Sequence, residues 1–445
     1  MNIKNYLFKI LFELTVKLRG ESFYQTLEFY KKTQYFSLED LLELQTKKLI
    51  DILGHARSHI PYYRNVIPLG IESLEDLKLL PTLEKDALRN HSSELINTKF
   101  GHLQRTKTSG GSTGAPVSIV KNSEALACEL AASWRGYSWA GIQVGDRQAR
   151  FWGVPRNFKE KTRARIIDFI CHRIRVTAFG YDETEFKRVL RRLERFNPDY
   201  LYGYTSIIEE LASYIKKSGI KPKLNLKSII TTSEVLSGPA RNTIESAFGQ
   251  KVFDEYGCGE IGTIAHECEH GRLHINMENC IVEIIDKAGV LVPNGELGEI
   301  VVTDLTNHSM PLIRYRVKDY GLISEMPCKC GRNLLVLDKV FGREYDSLIN
   351  SQGKKFHGEF FLYIAEDAKK SGYAISGIQF VQNDKYSITV NLAPANENPG
   401  LMKFITNRIK NDFDSSFDVK YLWLNAISRE ASGKLRVVKY EAGKI

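Results

Sequence analysis

The sequence predicts an α/β protein: a large layered N-terminal domain followed by a small α+β C-terminal domain. Three observations carry this. Through the middle of the chain, short β-type runs alternate with helical patterns of about 10–15 residues, the signature of helices layered on a sheet. From Ile281 the strands come closely spaced, which adds a small β-rich layer. Beyond Gly342 a fresh mixture of helix and strand begins, and 445 residues are too many for one core.

Taken in order, residues 1–100 form a helical region of the large domain. Leu7, Ile10, Leu11, Leu14 and Leu18 recur every three or four positions with Lys9, Glu13 and Lys17 between them, an amphipathic helix. Its charges exclude a signal peptide, and no stretch reaches the roughly 18 uncharged apolar residues of a membrane span. A cytoplasmic protein is expected. The apolar stripe is expected to pack on the main body, in preference to peripheral attachment at the inner face of the membrane. Ser37 is placed to cap a helix whose stripe runs from Leu41 to Ile52.

Residues 101–341 form the body of the large domain. Val117–Val120, Tyr200–Tyr204, Ser228–Thr232 and Lys251–Phe253 have strand character; Glu124–Trp139, Ile207–Lys217 and Pro239–Phe248 are helical. The β-rich layer holds Ile281–Ile285, Glu299–Val302 and Leu312–Tyr315, with Pro293-Asn294-Gly295 as a turn. Residues 342–445 form the C-terminal domain. Phe356–Lys370 and Leu401–Phe413 are its helices, and Gly377–Gln382, Tyr386–Leu392 and Val419–Leu424 its strands.

Composition narrows the class of function. Hydrophobic residues at 43% and charged residues at 26% are those of a folded globular protein and exclude a disordered one. A net charge of +9 favours anionic ligands. The densest basic cluster, Arg188, Arg191, Arg192 and Arg195, has helical spacing and reads as a solvated face, so a nucleic-acid partner is not expected.

The sharpest segment is Thr108-Ser109-Gly110-Gly111-Ser112-Thr113-Gly114-Ala115-Pro116. Its glycines let backbone N–H groups approach a polyphosphate, and the Ser109, Ser112 and Thr113 hydroxyls add donors. It lacks the Gly-Lys-Ser/Thr ending of a Walker loop, and a strand follows where a helix would be required. Further on come Tyr256-Gly257-Cys258-Gly259-Glu260, Tyr315-Arg316-Val317-Lys318-Asp319, Gly342-Arg343 and Ala431-Ser432-Gly433-Lys434.

These five segments, in this order, resemble the motifs of the adenylate-forming superfamily, which includes acyl-CoA synthetases, luciferases and peptide-synthetase adenylation domains. Chain length, Tyr202-Gly203-Tyr204 before a helix and Cys328-Lys329-Cys330-Gly331 resemble its phenylacetate–CoA ligase branch, CapK-like proteins included. The resemblance implies ATP and Mg²⁺ as cofactors. Ser109, Gly110, Gly111, Ser112, Thr113 and Gly114 would cradle the phosphates, and Tyr256 would stack on adenine. Glu260 would hold Mg²⁺, Asp319 would accept from the ribose hydroxyls, and Arg343 would lie near the same sugar. Lys434 would bridge the substrate carboxylate and the α-phosphate, carried in by a C-terminal domain turning about Asp346. Two departures stand out: Val117 occupies the position after the loop proline where many members have lysine, with Lys121 as a candidate substitute, and Tyr345 stands at a hinge position usually acidic.

Seven cysteines in a cytosolic chain point to thiols or metal ligands rather than disulfides. Cys268, His274, Cys328 and Cys330, with His270 as a variant for His274, suit a structural Cys₃His zinc site, four protein ligands leaving no open position. The remaining cysteines fall among apolar or motif residues.

The resulting expectation is an enzyme that activates a small-molecule carboxylic acid as its acyl-AMP. Transfer then goes to coenzyme A, a carrier-protein thiol or an amine, and the CapK-like resemblance points toward surface polysaccharide assembly. An acid pocket is expected between the helix carrying Trp134 and Trp139 and the Tyr202–Thr205 turn. A nucleotidyltransferase that leaves AMP on its product, and a binding protein that kept only the fold, are the alternatives.

Overall fold

The structure is a computed structural model that describes residues 3–97, 99, 104–108, 117–152, 158–177, 183–343, 347–353, 355–375, 377–393, 396–428 and 436–441. The chain divides into two compact units. One comprises residues up to Val317 and Gly321–Val340; the other comprises Phe341 onward together with Lys318–Tyr320.

The first unit opens with helices α1 (Ile3–Leu18), α2 (Phe23–Thr33), α3 (Leu38–His59) and the short α4 (Lys85–Asn90). Ser37 caps α3 as its sequence predicts: its Oγ accepts from the Asp40 N–H while the Asp40 carboxylate accepts from the Ser37 backbone. Such a reciprocal cap contributes about 1 kcal/mol. α1 departs from expectation. The stripe Leu7, Ile10, Leu14 and Leu18 faces outward, and the buried face is Phe12 and Val16, packed with Phe23 and Leu27 of α2. The helix is apolar on two sides, so periodicity alone does not say which one the core takes; the side with the aromatic rings of Phe8 and Phe12 is the one that meets partners.

A hairpin follows, β1 (Gln104–Thr108) paired antiparallel with β2 (Ser118–Asn122), then helix α5 (Ser123–Trp139). Strands β3 (Gln148–Trp152), β4 (Arg173–Thr177), β5 (Tyr200–Tyr204), β6 (Ser228–Thr232) and β7 (Val252–Cys258) alternate with α6 (Phe158–Ile170), α7 (Glu183–Phe196), α8 (Thr205–Ser218) and α9 (Gly238–Phe248). These strands pair in parallel, as helical crossovers require. β5 and β6 are buried at every position, which is why they read as continuous apolar and Ser/Thr runs rather than alternating ones. The arginines of α7 lie in solvent.

At β7 the sheet changes character. β8 (Gly262–Glu267) and β9 (Leu273–Ile275) turn back antiparallel, and β10 (Cys280–Ile285), β11 (Gly298–Asp304), β12 (Tyr315–Ile323) and β13 (Val336–Arg343) complete it. Among the described residues the hydrogen-bonded order is β10-β11-β12-β13-β9-β8-β7-β6-β5-β3-β4. The β-rich layer is thus the second half of one eleven-stranded sheet. The strand expected at Leu312–Tyr315 instead begins at Tyr315, because Arg314 has φ +49 and its guanidinium is drawn to Glu283 and the Leu80 carbonyl.

α5 lies against this sheet and carries a fully buried ion pair. Arg135 meets Glu278 at 2.5 Å and donates to Asn276 Oδ1 at 2.7 Å and the Tyr30 carbonyl at 3.2 Å. Breaking a pair so completely removed from water would leave an uncompensated charge costing about 3–5 kcal/mol. Gly136 beside it is obligatory, since a Cβ there would sit 2.3 Å from the His266 ring.

The second unit contains a small hairpin, β14 (Ser347–Ile349) with β15 (Lys355–His357), and a sheet in which β16 (Gly377–Gln382) and β17 (Ser387–Ala393) are central, flanked by β18 (Asp418–Trp423) and β19 (Val438–Tyr440). Helices α10 (Gly358–Lys370) and α11 (Pro399–Arg408) close over Phe361, Ile364, Phe380, Val390, Ile405 and Phe413. The helix expected at Phe356 starts two residues later because Lys355–His357 pairs as a strand. No helix among the described residues is long and apolar enough to cross a membrane.

Candidate active site and metal centre

The glycine-rich residues Ser109, Gly110, Gly111, Ser112, Thr113 and Gly114 lie outside the described residues, as do Lys434 and Asp346; Arg343 ends β13, and its side chain is likewise outside them. What the structure does define is the frame on both sides of the glycine-rich segment. Thr108 pairs with Ser118 at the last rung of the β1–β2 hairpin, so the segment joins two hydrogen-bonded strands. Both strands are clamped to α5 by one carboxylate: Lys107 Nζ meets Glu129 Oε1 at 2.5 Å and Lys121 Nζ meets Glu129 Oε2 at 3.0 Å. Burial alone would raise the Glu129 carboxyl, but the two ammonium groups outweigh it and hold it at about 2.

Lys121 is therefore not the free cation suggested by its place after the loop. Its side chain is buried, and its ammonium also donates to the Ile261 carbonyl at 2.5 Å. Burial disfavours its charge, yet the Glu129 and Asp304 carboxylates prevail and keep its pKa raised. The bond to Ile261 matters for another reason. Ile261 follows Glu260, so the strand leaving the glycine-rich segment is tied to the turn bearing the candidate metal carboxylate.

That turn joins β7 to β8. Tyr256 is half-buried near the end of β7, with a bulge in the pairing between it and Gly257. Gly257 is required here: a Cβ would lie 2.2 Å from the Gly262 carbonyl oxygen, and Gly262 itself has φ +106. Glu260 is buried and its Oε1 receives Lys85 Nζ at 2.9 Å. The segment Leu83–Lys85 acts as a strap. Leu83 exchanges backbone hydrogen bonds with Arg314 and Arg316, Glu84 pairs with Arg316 at 3.2 Å, and Lys85 reaches Glu260. Arg316, within Tyr315-Arg316-Val317-Lys318-Asp319, is held further by Glu299. Asp319 is buried on β12. Lys85 has no motif around it, and only the fold reveals its partner 175 positions away.

The aromatic wall expected for the acid divides in two. Trp134, Tyr137, Tyr202, Trp152 and Tyr204 form one cluster; Trp152 stacks on Tyr204 at 4.4 Å, and the Arg150 guanidinium lies 4.7 Å from the Trp152 centroid and 5.1 Å from that of Tyr202. Tyr202 Oη donates to Glu255 at 2.9 Å. Trp139 belongs elsewhere: its Nε1 donates to Gln34 and its ring meets His274 and Arg332. Five residues of helix rotate a side chain by about 140°, so Trp134 and Trp139 cannot line one pocket.

The Trp139 side leads to the candidate metal centre. Cys268, His274, Cys328 and Cys330 present their ligand atoms within 4.8 Å of one another. Cys268 and Cys328 sulfurs are 3.7 Å apart and His274 Nε2 is 3.2 Å from Cys330 Sγ. Zn–S bonds of about 2.3 Å in a tetrahedron separate sulfurs by roughly 3.8 Å, so the donor set fits zinc, and the spacing is far from the roughly 2 Å of a disulfide. His274 Nδ1 lies 3.0 Å from the Leu334 carbonyl, which directs Nε2 inward. His270 is exposed outside the cluster. Of the other cysteines, Cys128 and Cys280 are buried in the core.

With this geometry in place, comparison with known proteins gives a consistent picture. Residues 348–441 match the CapK C-terminal domain family. The chain is 25% identical over 451 residues to protein CapK of Staphylococcus aureus, spanning 97% of this chain and 98% of that one. It is 27% identical over 326 residues to the phenylacetate-coenzyme A ligase of Thermus thermophilus, covering 70% of this chain and 72% of the other. Among solved structures, 2-hydroxyisobutyryl-CoA ligase in its postadenylation state superposes with a TM-score of 0.73 at 19% identity, covering 92% and 91% of the two chains. An anthranilate CoA ligase with bound anthranoyl-AMP gives 0.52 at 16% identity, covering 74% and 64%. The fold is that of the adenylate-forming ligases, and the resemblance carried by the five motifs extends along the chain.

Proposed function

We propose that this chain is an adenylate-forming acid–thiol ligase. In the first half-reaction a substrate carboxylate oxygen attacks the α-phosphorus of ATP, the bond to the β-phosphate oxygen breaks, and acyl-AMP and pyrophosphate result. In the second, a thiol of coenzyme A attacks the acyl carbon, AMP leaves with the bonding pair, and the thiol proton passes to solvent. The observation that carries this reading is the tie from β2 through Lys121 to Ile261. It makes the strand that leaves the glycine-rich segment and the carboxylate of Glu260 parts of one framework, as a nucleotide site needs.

In this reading the residues Ser109–Gly114 hold the phosphates, Tyr256 stacks on adenine, Asp319 accepts from the ribose and Arg343 lies beside it. Glu260 would hold Mg²⁺, which when bound neutralises charge on the triphosphate. Lys434 would pair the incoming carboxylate with the α-phosphate, two groups that otherwise repel, and Asp346 would be the pivot of its domain. The Arg150–Trp152–Tyr202 wall is the candidate acid-facing surface. Cys268, His274, Cys328 and Cys330 would bind zinc structurally, tying the 268–274 turn to the 328–330 turn.

A panel of carboxylic acids scored by pyrophosphate release, with and without coenzyme A, tests the proposal, with Lys434→Ala as control. Acid-dependent pyrophosphate release, with AMP freed when coenzyme A is added, is the expected result. AMP retained covalently on the final product would instead mean a nucleotidyltransferase. Wild-type adenylate formation by Lys434→Ala would refute the role of that lysine.

A further inference from the structure

The outward face of α1 is left uncovered by the compact unit to which the helix belongs. Tyr6, Leu7, Ile10, Leu14 and Leu18 all project from it, with Leu7 59%, Leu14 53% and Leu18 89% exposed. At 100° per residue these five positions fall within an arc of about 120°, while Phe12 and Val16 occupy the opposite side. A helix apolar on both sides normally has protein on one and a second apolar phase on the other.

α6 continues the surface. Phe8 of α1 meets the Phe169 ring edge-on at 5.5 Å, and Phe169 and Ile166 are 65% and 57% exposed. Lys161, Arg163 and Arg165 stand in solvent on the same helix. Its Asp168 is already neutralised, paired with Arg173 at 2.5 Å and Arg175 at 3.0 Å. The apolar residues therefore adjoin a rim that is basic, on a chain carrying +9 overall.

We propose that α1 and α6 together form a membrane-docking face whose occupant is the interfacial layer of a bilayer rich in anionic headgroups. Charge complementarity selects that occupant. Aliphatic and aromatic side chains enter the headgroup–acyl boundary, while lysine and arginine stems extend along it and place their charges on phosphate. The helix lies in the plane of the surface, since no helix among the described residues can span it. This inference is independent of the ligase reading: it concerns where the protein works, not the reaction.

Full-length protein is sedimented with phosphatidylcholine vesicles, with and without phosphatidylglycerol. Wild type is expected to sediment with the anionic vesicles and to be released by salt. Leu7→Glu/Leu14→Glu should weaken that binding at least about tenfold. Arg163→Gln/Arg165→Gln should weaken it by about fivefold for each charge removed. All the changed side chains are exposed, so the thermal midpoints should match wild type, which separates lost docking from lost folding. The proposal is overturned if wild type stays in the supernatant with both vesicle types, or if the double glutamate variant sediments as wild type does. It is equally overturned if the apolar face proves to join two copies, seen as a wild-type dimer that Leu7→Glu/Leu14→Glu dissociates without any vesicle binding.

Discussion

Replacing Glu129 by glutamine tests whether the hairpin around the glycine-rich segment is held by charge. A carboxyl held at about 2 rather than 4.5 corresponds to about 3 kcal/mol of stability at neutral pH. Glu129 keeps 22% of its side-chain exposure and Lys107 keeps 39%, so solvent screening brings the expected loss to about 2 kcal/mol. Lys121 supplies most of it, because its side chain is only 2% exposed and would lose the carboxylate bonded to it, keeping only the influence of Asp304. The folded-state pKa is depressed, so the stabilisation is present above pH 4.5 and fades as pH falls toward 2. Urea unfolding of wild type and Glu129→Gln should therefore differ by a constant amount from pH 8 to about 5, with the gap closing below. Lys121→Met/Glu129→Gln should recover most of the loss, since an apolar side chain of similar length needs no partner. Glu129→Gln should also raise the KM for MgATP several-fold through the loosened hairpin. A difference under about 0.5 kcal/mol, or one that stays unchanged to the lowest pH at which the protein folds, would refute the assignment.

Three further outcomes are expected. Lys85→Met should lower stability by about 2 kcal/mol without nucleotide and by less with MgATP, because a cation at Glu260 takes over from the lost ammonium; paired urea titrations measure this. Cys328→Ser should remove bound zinc, read by metal analysis of the purified protein, and lower the thermal midpoint, with chelator treatment of wild type giving the same shift. Asp254, half-buried on β7 beside Glu267, has its carboxyl pushed up to about 7 by desolvation and by that carboxylate. A raised carboxyl means that its ionised form costs stability as pH climbs from 3.8 through 7, so Asp254→Asn should unfold at higher temperature than wild type above pH 7 and match it near pH 4. Differential scanning calorimetry across that range checks the sign.

Much of the fold was legible because burial imposes period and length. β5, β6 and the helices that follow them lie within a few residues of where the sequence puts them, since the strands are continuous buried runs and α8 and α9 are closed by Gly219 and Gly249 in the left-handed conformation. β1 was not legible: Gln-Arg-Thr-Lys-Thr has no apolar residue, and it is a strand only because β2 offers it a ladder and Glu129 a salt bridge. β12 does alternate strictly between buried and half-buried positions from Tyr315 to Ile323. The apolar run Leu312-Ile313 drew the expected strand too early, and the turn that Arg314 makes toward Glu283 has no local signature. α1 was misjudged for a related reason, as two apolar faces give one periodicity.

The candidate site divides along the same line. Residues constrained by their immediate neighbours stand in the segments that the sequence singles out: Gly257, within Tyr256–Glu260, must be small because the Gly262 carbonyl closes on it, and Cys328 and Cys330 flank a single residue and lie with Cys268 and His274 in one cluster. Roles set by a distant partner are not legible locally. Lys85 opens a short helix with no motif around it, Lys121 reads as a free cation, and Trp139 reads as a neighbour of Trp134; each acquires its meaning only when the sheet brings Glu260, Glu129 or His274 alongside. The consequence is mechanical. Glu129 holds both hairpin strands, Lys121 passes that restraint to Ile261, and Lys85 passes it from Glu260 back to the strap on Arg316. Phosphate binding between β1 and β2 would thus be felt at the carboxylate through the buried Lys121 and the Ile261 backbone rather than across solvent, which is the arrangement expected where a nucleotide and its metal must be bound in fixed register.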